Sequence, residues 1–311
     1  MVSYGLPILY TLALWWASTI AILFLDGLNP RTFKWSMGGA TFLLGFAIWG
    51  LLETRDSVTT QSAYCAFGCG LIAWGWQLMG FYMGFITGPQ KGMCPPGTRG
   101  WARFIAGART SLYHELASVA GAVILLVLSY GHDNQLGLWT YCVLWWMHQS
   151  AKLNVFFGVP NLGEEFLPAH LRYLASYMAR RPMNLFFPIS VSISTVLTFV
   201  WAEKAYSSEP SSFIALGWTM VATMMVMAIL EHWFLVVPLD TNGLWHWGIK
   251  SDAVPAASVM TPVMADLAPL CIDYIETAAL PTEGLGERAE VEPMMRLDVP
   301  QGHSLAFNGA F

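Results

Sequence analysis

Residues 213–238 read FIALGWTMVATMMVMAILEHWFLVVP, a run with one acid (Glu231), one histidine (His232) and no Lys or Arg. At 1.5 Å of rise per residue it is long enough to cross a hydrocarbon core of about 30 Å, with length to spare for tilt. Six further stretches have the same character, at about 6–25, 36–52, 61–88, 111–130, 136–158 and 184–201. The pattern predicts an all-α, polytopic transmembrane helix bundle of seven spans.

Composition agrees. Of 311 residues, 55% are hydrophobic and 11% charged, against roughly 25% charged in an ordinary soluble domain, and mean hydropathy is +0.50. A net charge of -5 excludes a nucleic-acid binder. The five cysteines form no C-x-x-C pair, which argues against a structural zinc site and a secreted disulfide framework. The first stretch lacks the basic leader and small-residue cleavage site of a secretory signal, so it is read as a span.

Basic residues are retained on the cytoplasmic side of short loops. Twelve of the fifteen Lys and Arg fall on one side of the bundle, only Arg55 and Lys204 on the other, and Lys152 lies inside a span. The N-terminus is therefore expected in the periplasm and the C-terminus in the cytoplasm. Residues 1–250 form the bundle, with cytoplasmic loops at 88–110 and 159–183. In the first loop, Pro and Gly between Gly88 and Trp101 forbid regular helix. In the second, Asn161 and Glu164 resemble a capping box, and Leu171, Leu174 and Met178 share one face of a short amphipathic interfacial helix. Residues 251–311 carry nine acids and two Arg and read as a flexible cytoplasmic tail, with a short helix at 267–280. Trp245-His246-Trp247 reads as an interfacial anchor.

Ionisable residues inside spans cost about 2.5–3.5 kcal/mol each on insertion scales, so each marks a candidate site. Here they are His114 and Glu115, His148 and Lys152, and Glu231 and His232, with Glu165 and His170 just beyond the fifth span. Counted from the helix ends, they fall within one layer of the cytoplasmic leaflet. Three chemistries suit that layer. Glu115, His148, Glu165, His170, Glu231 and His232 are ligands for iron, manganese or zinc. There is no Glu-x-x-His pair, however, and sequence neighbours on a helix point about 100° apart. Alternatively, one neutral imidazole from His114, His148 or His232 is an axial ligand to a tetrapyrrole metal, between walls such as Trp145, Phe156 and Trp233. The third reading is structural, with Glu115 or Glu231 paired to Lys152 or a histidine. Among lesser features, Cys65 and Cys69 lie one turn apart, Gly70 and Gly80 permit close helix packing, Met220, Met224 and Met225 fill the core, and Gln77 is a candidate interhelical hydrogen bond.

Specific strings add a resemblance. Cys94-Pro95-Pro96-Gly97-Thr98-Arg99-Gly100-Trp101, Leu112-Tyr113-His114-Glu115-Leu116, Ser150-Ala151-Lys152-Leu153-Asn154, Gly158-Val159-Pro160-Asn161-Leu162, Arg180-Arg181-Pro182-Met183-Asn184 and Leu230-Glu231-His232-Trp233-Phe234-Leu235 occur in this order. Over residues 1–250 the chain resembles the photosynthetic complex assembly protein 2 family, also called PuhE. The resemblance implies a multi-pass protein of the bacterial inner, intracytoplasmic membrane. Its implied role is assembly of the reaction centre and light-harvesting complex, or supply of bacteriochlorophyll to it. Reaction-centre or light-harvesting subunits and other assembly factors would be its partners, besides the lipid bilayer. The family brings no named reaction and hence no catalytic residue. The alternative within the membrane is a metalloenzyme, an iron-type oxidoreductase acting on a pigment precursor through the His/Glu cluster.

Overall fold

The computed structural model describes residues 2–164 and 167–237. The tail, the Trp245-His246-Trp247 anchor and Glu165 lie outside the described residues. Among those described, every regular element is helical: α1 (Val2–Asp26), α2 (Phe33–Thr54), α3 (Thr60–Tyr82), α4 (Gly100–Thr110), α5 (Leu112–Ser129), α6 (Leu136–Phe157), α7 (Phe186–Tyr206) and α8 (Phe213–Phe234), with short 3-10 turns between some of them. Each of the seven apolar stretches coincides with one long helix.

Among the described residues, five helices are long and apolar enough to cross a membrane: α1, α2, α5, α7 and α8. Their outward faces carry large apolar side chains in the open, among them Leu9, Phe42, Trp49, Val127 and Phe199. Such a surface suits a hydrocarbon solvent, where apolar exposure carries no penalty. The chain is built as a membrane protein. The other two long helices, α3 and α6, are less apolar because they are the inner ones. α3 packs against α1, α2, α5, α6 and α8, while α6 packs against α3, α5, α7 and α8.

The core forms where α3, α6 and α8 meet, around Phe67, Leu71, Val143, Met147, Met220, Met224 and Met225. The methionines are filler as expected; their unbranched chains suit an irregular gap. α3 and α6 touch at two glycines. A Cβ on Gly70 would stand 2.4 Å from the carbonyl oxygen of Gly137, so only glycine allows this crossing. Gln77 donates from α3 to the Ala117 carbonyl of α5 at 3.0 Å, the interhelical bond its position predicts.

Several helix ends are closed by side chains. Thr59 and Ser62 form a reciprocal capping box on α3, and Ser212 accepts from the Ala215 N–H on α8. Asn134 accepts from Leu136 N–H at the start of α6 and donates to the Thr54 and Ser57 carbonyls. Asn184 accepts from the Phe186 and Phe187 N–H groups and donates back to Asn154 and Gly158.

Two expectations for the loops are corrected. The segment 88–110 is not loop throughout, since Gly100–Thr110 is an amphipathic helix that begins where the Pro/Gly run stops. Asn161 does not start a helix. Its amide donates to the Phe234 and Val237 carbonyls and closes the end of α8 instead. The amphipathic piece that follows, Ala169–Tyr177, is a 3-10 helix. At three residues per turn its buried face is Leu171, Leu174 and Tyr177, not the α-spaced set ending at Met178. Arg103 of α4 donates to the Tyr177 and Met178 carbonyls at 2.7 Å, and Ser176 accepts from the Cys94 N–H. α4, the 83–99 loop and the 3-10 helix thus form one lid over this end of the bundle.

Candidate functional site

α6 is the hub of the polar layer, because successive residues on a helix face different neighbours. His148 and Lys152, one turn apart, face α3 and α5. Ser150 faces α8, and Asn154 donates to Ser190 of α7 at 3.1 Å. The structure therefore divides the expected single cluster into two groups on either side of this helix.

On the α5 side, the side chains of Lys152 and Glu115 form an ion pair, joined by Gln149, which donates to the same carboxylate. Lys152 also donates to the Ser111 hydroxyl at 2.9 Å, and Ser111 to Glu115 at 3.2 Å. The ammonium stands 5.7 Å from the centre of the Phe81 ring, a cation–π distance. Glu115 lies in the first turn of α5, where the helix dipole favours an anion. The structural pairing of Glu115 with Lys152 is therefore real. Gln149 and Ser111 carry no ionisable group and so give no signal in the sequence.

Beside this pair lie two imidazoles. The ring centres of His114 and His148 are 5.6 Å apart, edge to face. Trp74 contacts both, at 6.3 and 5.4 Å, and Phe81 lies 4.9 Å from His114. His114 is sealed, with no exposed surface. Its ring nitrogens make no hydrogen bond of ordinary geometry, although the Gln77 backbone lies near enough to interact. Nε2 of His148 is likewise buried without a partner.

On the α8 side, His232 is fully engaged. Nδ1 donates to the Ala228 carbonyl at 2.8 Å, and since a carbonyl only accepts, Nε2 must accept from the Ser150 hydroxyl at 2.9 Å. Both lone sites of the imidazole are occupied, which removes His232 as a ready axial ligand. Glu231, one residue earlier, turns toward α1, where Trp15 donates to its carboxylate while Oε1 stays buried and unpartnered. His170 belongs to neither group. It is exposed on the 3-10 helix, 3.1 Å from where a Gly84 Cβ would stand and 6.1 Å from the Phe33 ring. Among the described residues, no three His, Cys, Asp or Glu side chains converge on a metal-sized point.

Two cavities flank α6. The larger, about 300 Å³, runs beneath the lid between α3, α4, α5 and α6. Its walls are Phe81, Tyr82, Phe104, Phe156 and Tyr177, and its polar end is Glu115, Gln149 and Lys152. The smaller, about 100 Å³, lies between α1, α3, α6 and α8 and includes Trp15, Trp74, Glu231 and His232. His148 borders both. It is the one predicted imidazole that combines an unsatisfied nitrogen with a cavity wall, because His114 borders neither cavity. Volume and lining of the larger cavity fall at the lower end of small-molecule sites, apolar with a few converging polar groups.

Residues 1–256 match a protein family described as a protein of unknown function, DUF3623. The chain is also similar to an uncharacterized 30.4 kDa protein encoded in the puhA 5′ region of Rhodobacter capsulatus. The two are 34% identical over 261 residues, which is 82% of this chain and 94% of the relative. No solved structure matches.

Proposed function

Because the chain belongs to the DUF3623 family, with a relative encoded beside a photosynthetic reaction-centre gene, we propose that it is an assembly factor of the bacterial photosynthetic apparatus. In this reading it resides in the inner, intracytoplasmic membrane and crosses it seven times, α3 and α6 included. The asymmetry of its Lys and Arg then sets the N-terminus in the periplasm and the lid over the larger cavity in the cytoplasm. Its partners are reaction-centre or light-harvesting subunits and other assembly factors, met laterally through the exposed apolar faces of α1, α2, α5 and α7.

The proposed task is to hold bacteriochlorophyll until an apoprotein takes it. The observation that carries this is His148, an imidazole on the wall of an aromatic cavity with no hydrogen bond at either ring nitrogen among the described residues. A pigment supplies a metal in need of one axial nitrogen and a flat apolar ring in need of aromatic walls. His148 would give the first, and Phe81, Phe104 and Phe156 the second. The lid covers one end of the cavity, and the Glu115–Lys152 pair gives it a polar end for a pigment's carbonyl groups.

The test is pigment content of protein purified in mild detergent. His148→Ala should lose the pigment, while His232→Ala, whose ring is already hydrogen-bonded, should keep most of it. Equal pigment in both variants and the parent, or full support of assembly by pigment-free protein, sinks the proposal. Iron or zinc near one atom per chain in the same preparation would favour the oxidoreductase alternative.

A further inference from the structure

Pigment holding uses only one side of His148. The other side is the smaller cavity, whose walls are mainly apolar: Leu71, Trp74, Leu144, Met147 and Met224. Among the described residues, its hydroxyls and one of its two imidazoles are engaged. The Ser18 and Thr19 hydroxyls each donate to the Trp15 carbonyl at 2.9 Å. His232 is satisfied at both nitrogens. What remains is Oε1 of Glu231 and Nε2 of His148, two buried atoms without partners on residues that border the same space.

Such a pair is costly to leave unsatisfied, at roughly 1–3 kcal/mol for each group. A water needs about 10–15 Å³ of space for its centre and two or more polar partners. A cavity of about 100 Å³ bordered by both residues meets the two conditions. We propose that ordered water in this cavity joins the Glu231 carboxylate to the His148 imidazole, which makes Glu231 a positioning residue. The carboxylate, steadied by Trp15, holds His148 in one tautomer and one ring orientation, so that its other nitrogen is presented to the larger cavity. Metal-binding histidines are regularly oriented by a carboxylate or water on their far nitrogen, which fixes the tautomer. The water bridge stands on the cavity alone; its purpose rests on the pigment-holding reading.

The experiment uses full-length, pigment-free protein in bilayers, with nitrogen-isotope-labelled histidine read by solid-state magnetic resonance. His148 should show a single tautomer and should receive magnetisation from water. Glu231→Leu should yield a mixture of both tautomers. Glu231→Gln, whose amide oxygen still accepts from water, should keep the parent pattern. An absence of transfer from water to His148 overturns the bridge, as does an unchanged tautomer in Glu231→Leu. Should Glu231→Leu fail to fold, the water transfer in the parent protein decides alone. In pigment-loaded protein, Glu231→Leu should shift the pigment's absorption band. If His148→Ala keeps its pigment, the pigment-holding reading fails while the tautomer result stands.

Discussion

Ser150 of α6 donates its hydroxyl to Nε2 of His232 on α8, at 2.9 Å, and so ties these two packed helices of the membrane-facing bundle together. Interhelical hydrogen bonds in bilayers average about 0.6 kcal/mol, with the best near 1.7. Ser150→Ala should therefore cost about 0.6–1.7 kcal/mol. His232→Ala also empties a fully buried site and should cost about 2–4 kcal/mol. Unfolding in mixed detergent micelles measures both, and equal costs for the two variants would contradict the arrangement.

The Glu115–Lys152 pair allows a double-mutant cycle. Removing either partner leaves a partly buried charge alone; for a fully buried pair that costs about 3–5 kcal/mol. The Lys152 and Glu115 side chains are 29% and 28% exposed, so Glu115→Gln or Lys152→Met should cost about 2–3 kcal/mol. The double variant should recover much of the loss. Additive costs in the same unfolding assay would mean that the pair is uncoupled.

The contact between Gly70 and Gly137 predicts a contrast. Gly70→Ala drives a methyl into a backbone carbonyl, and overpacking of this kind costs about 1–3 kcal/mol. Gly39→Ala, with nothing within 4 Å of the new methyl, should be neutral or slightly stabilising in a helix interior. Melting temperatures of the two variants side by side test it.

Outside the membrane-facing helices, the His132 ring donates from Nδ1 to Asp56 at 2.6 Å. That hydrogen bond, aided by the charges of His132 and Arg55, holds the Asp56 carboxyl below its ordinary value. A lowered carboxylate stabilises the fold at pH values above the ordinary aspartate value of about 3.9, and the contribution fades as pH falls through the lowered one. Asp56→Asn should flatten the acid limb of the stability–pH curve through a small loss of stability at neutral pH that disappears at acid pH, small because the pair is solvent-exposed. An acid limb identical to the parent's would rule this out.

The long helices were legible because each is an apolar run of membrane length, and that signal survives any packing arrangement. The Glu115–Lys152 pair and the Gln77 bond were legible for a related reason: a polar group within such a run must find a partner. α4 was hidden behind the Pro/Gly run that precedes it. The period of Ala169–Tyr177 is ambiguous in sequence, because Leu171, Leu174 and a residue three or four further on fit either helix type until backbone hydrogen bonds choose. Asn161 looked like the start of a local helix. In fact it closes α8, a partner more than seventy residues away, which no local pattern encodes.

Sequence alone determined that the chain is a set of apolar helices with a few ionisable residues at similar depth, since hydropathy and spacing are properties of each segment by itself. Only the tertiary structure decided how those residues divide around α6. The rotation of each helix about its axis is set by packing, as where Gly70 meets Gly137. That rotation sealed His114, saturated His232, placed Glu231 on the smaller cavity and left His148 on the wall between the two cavities.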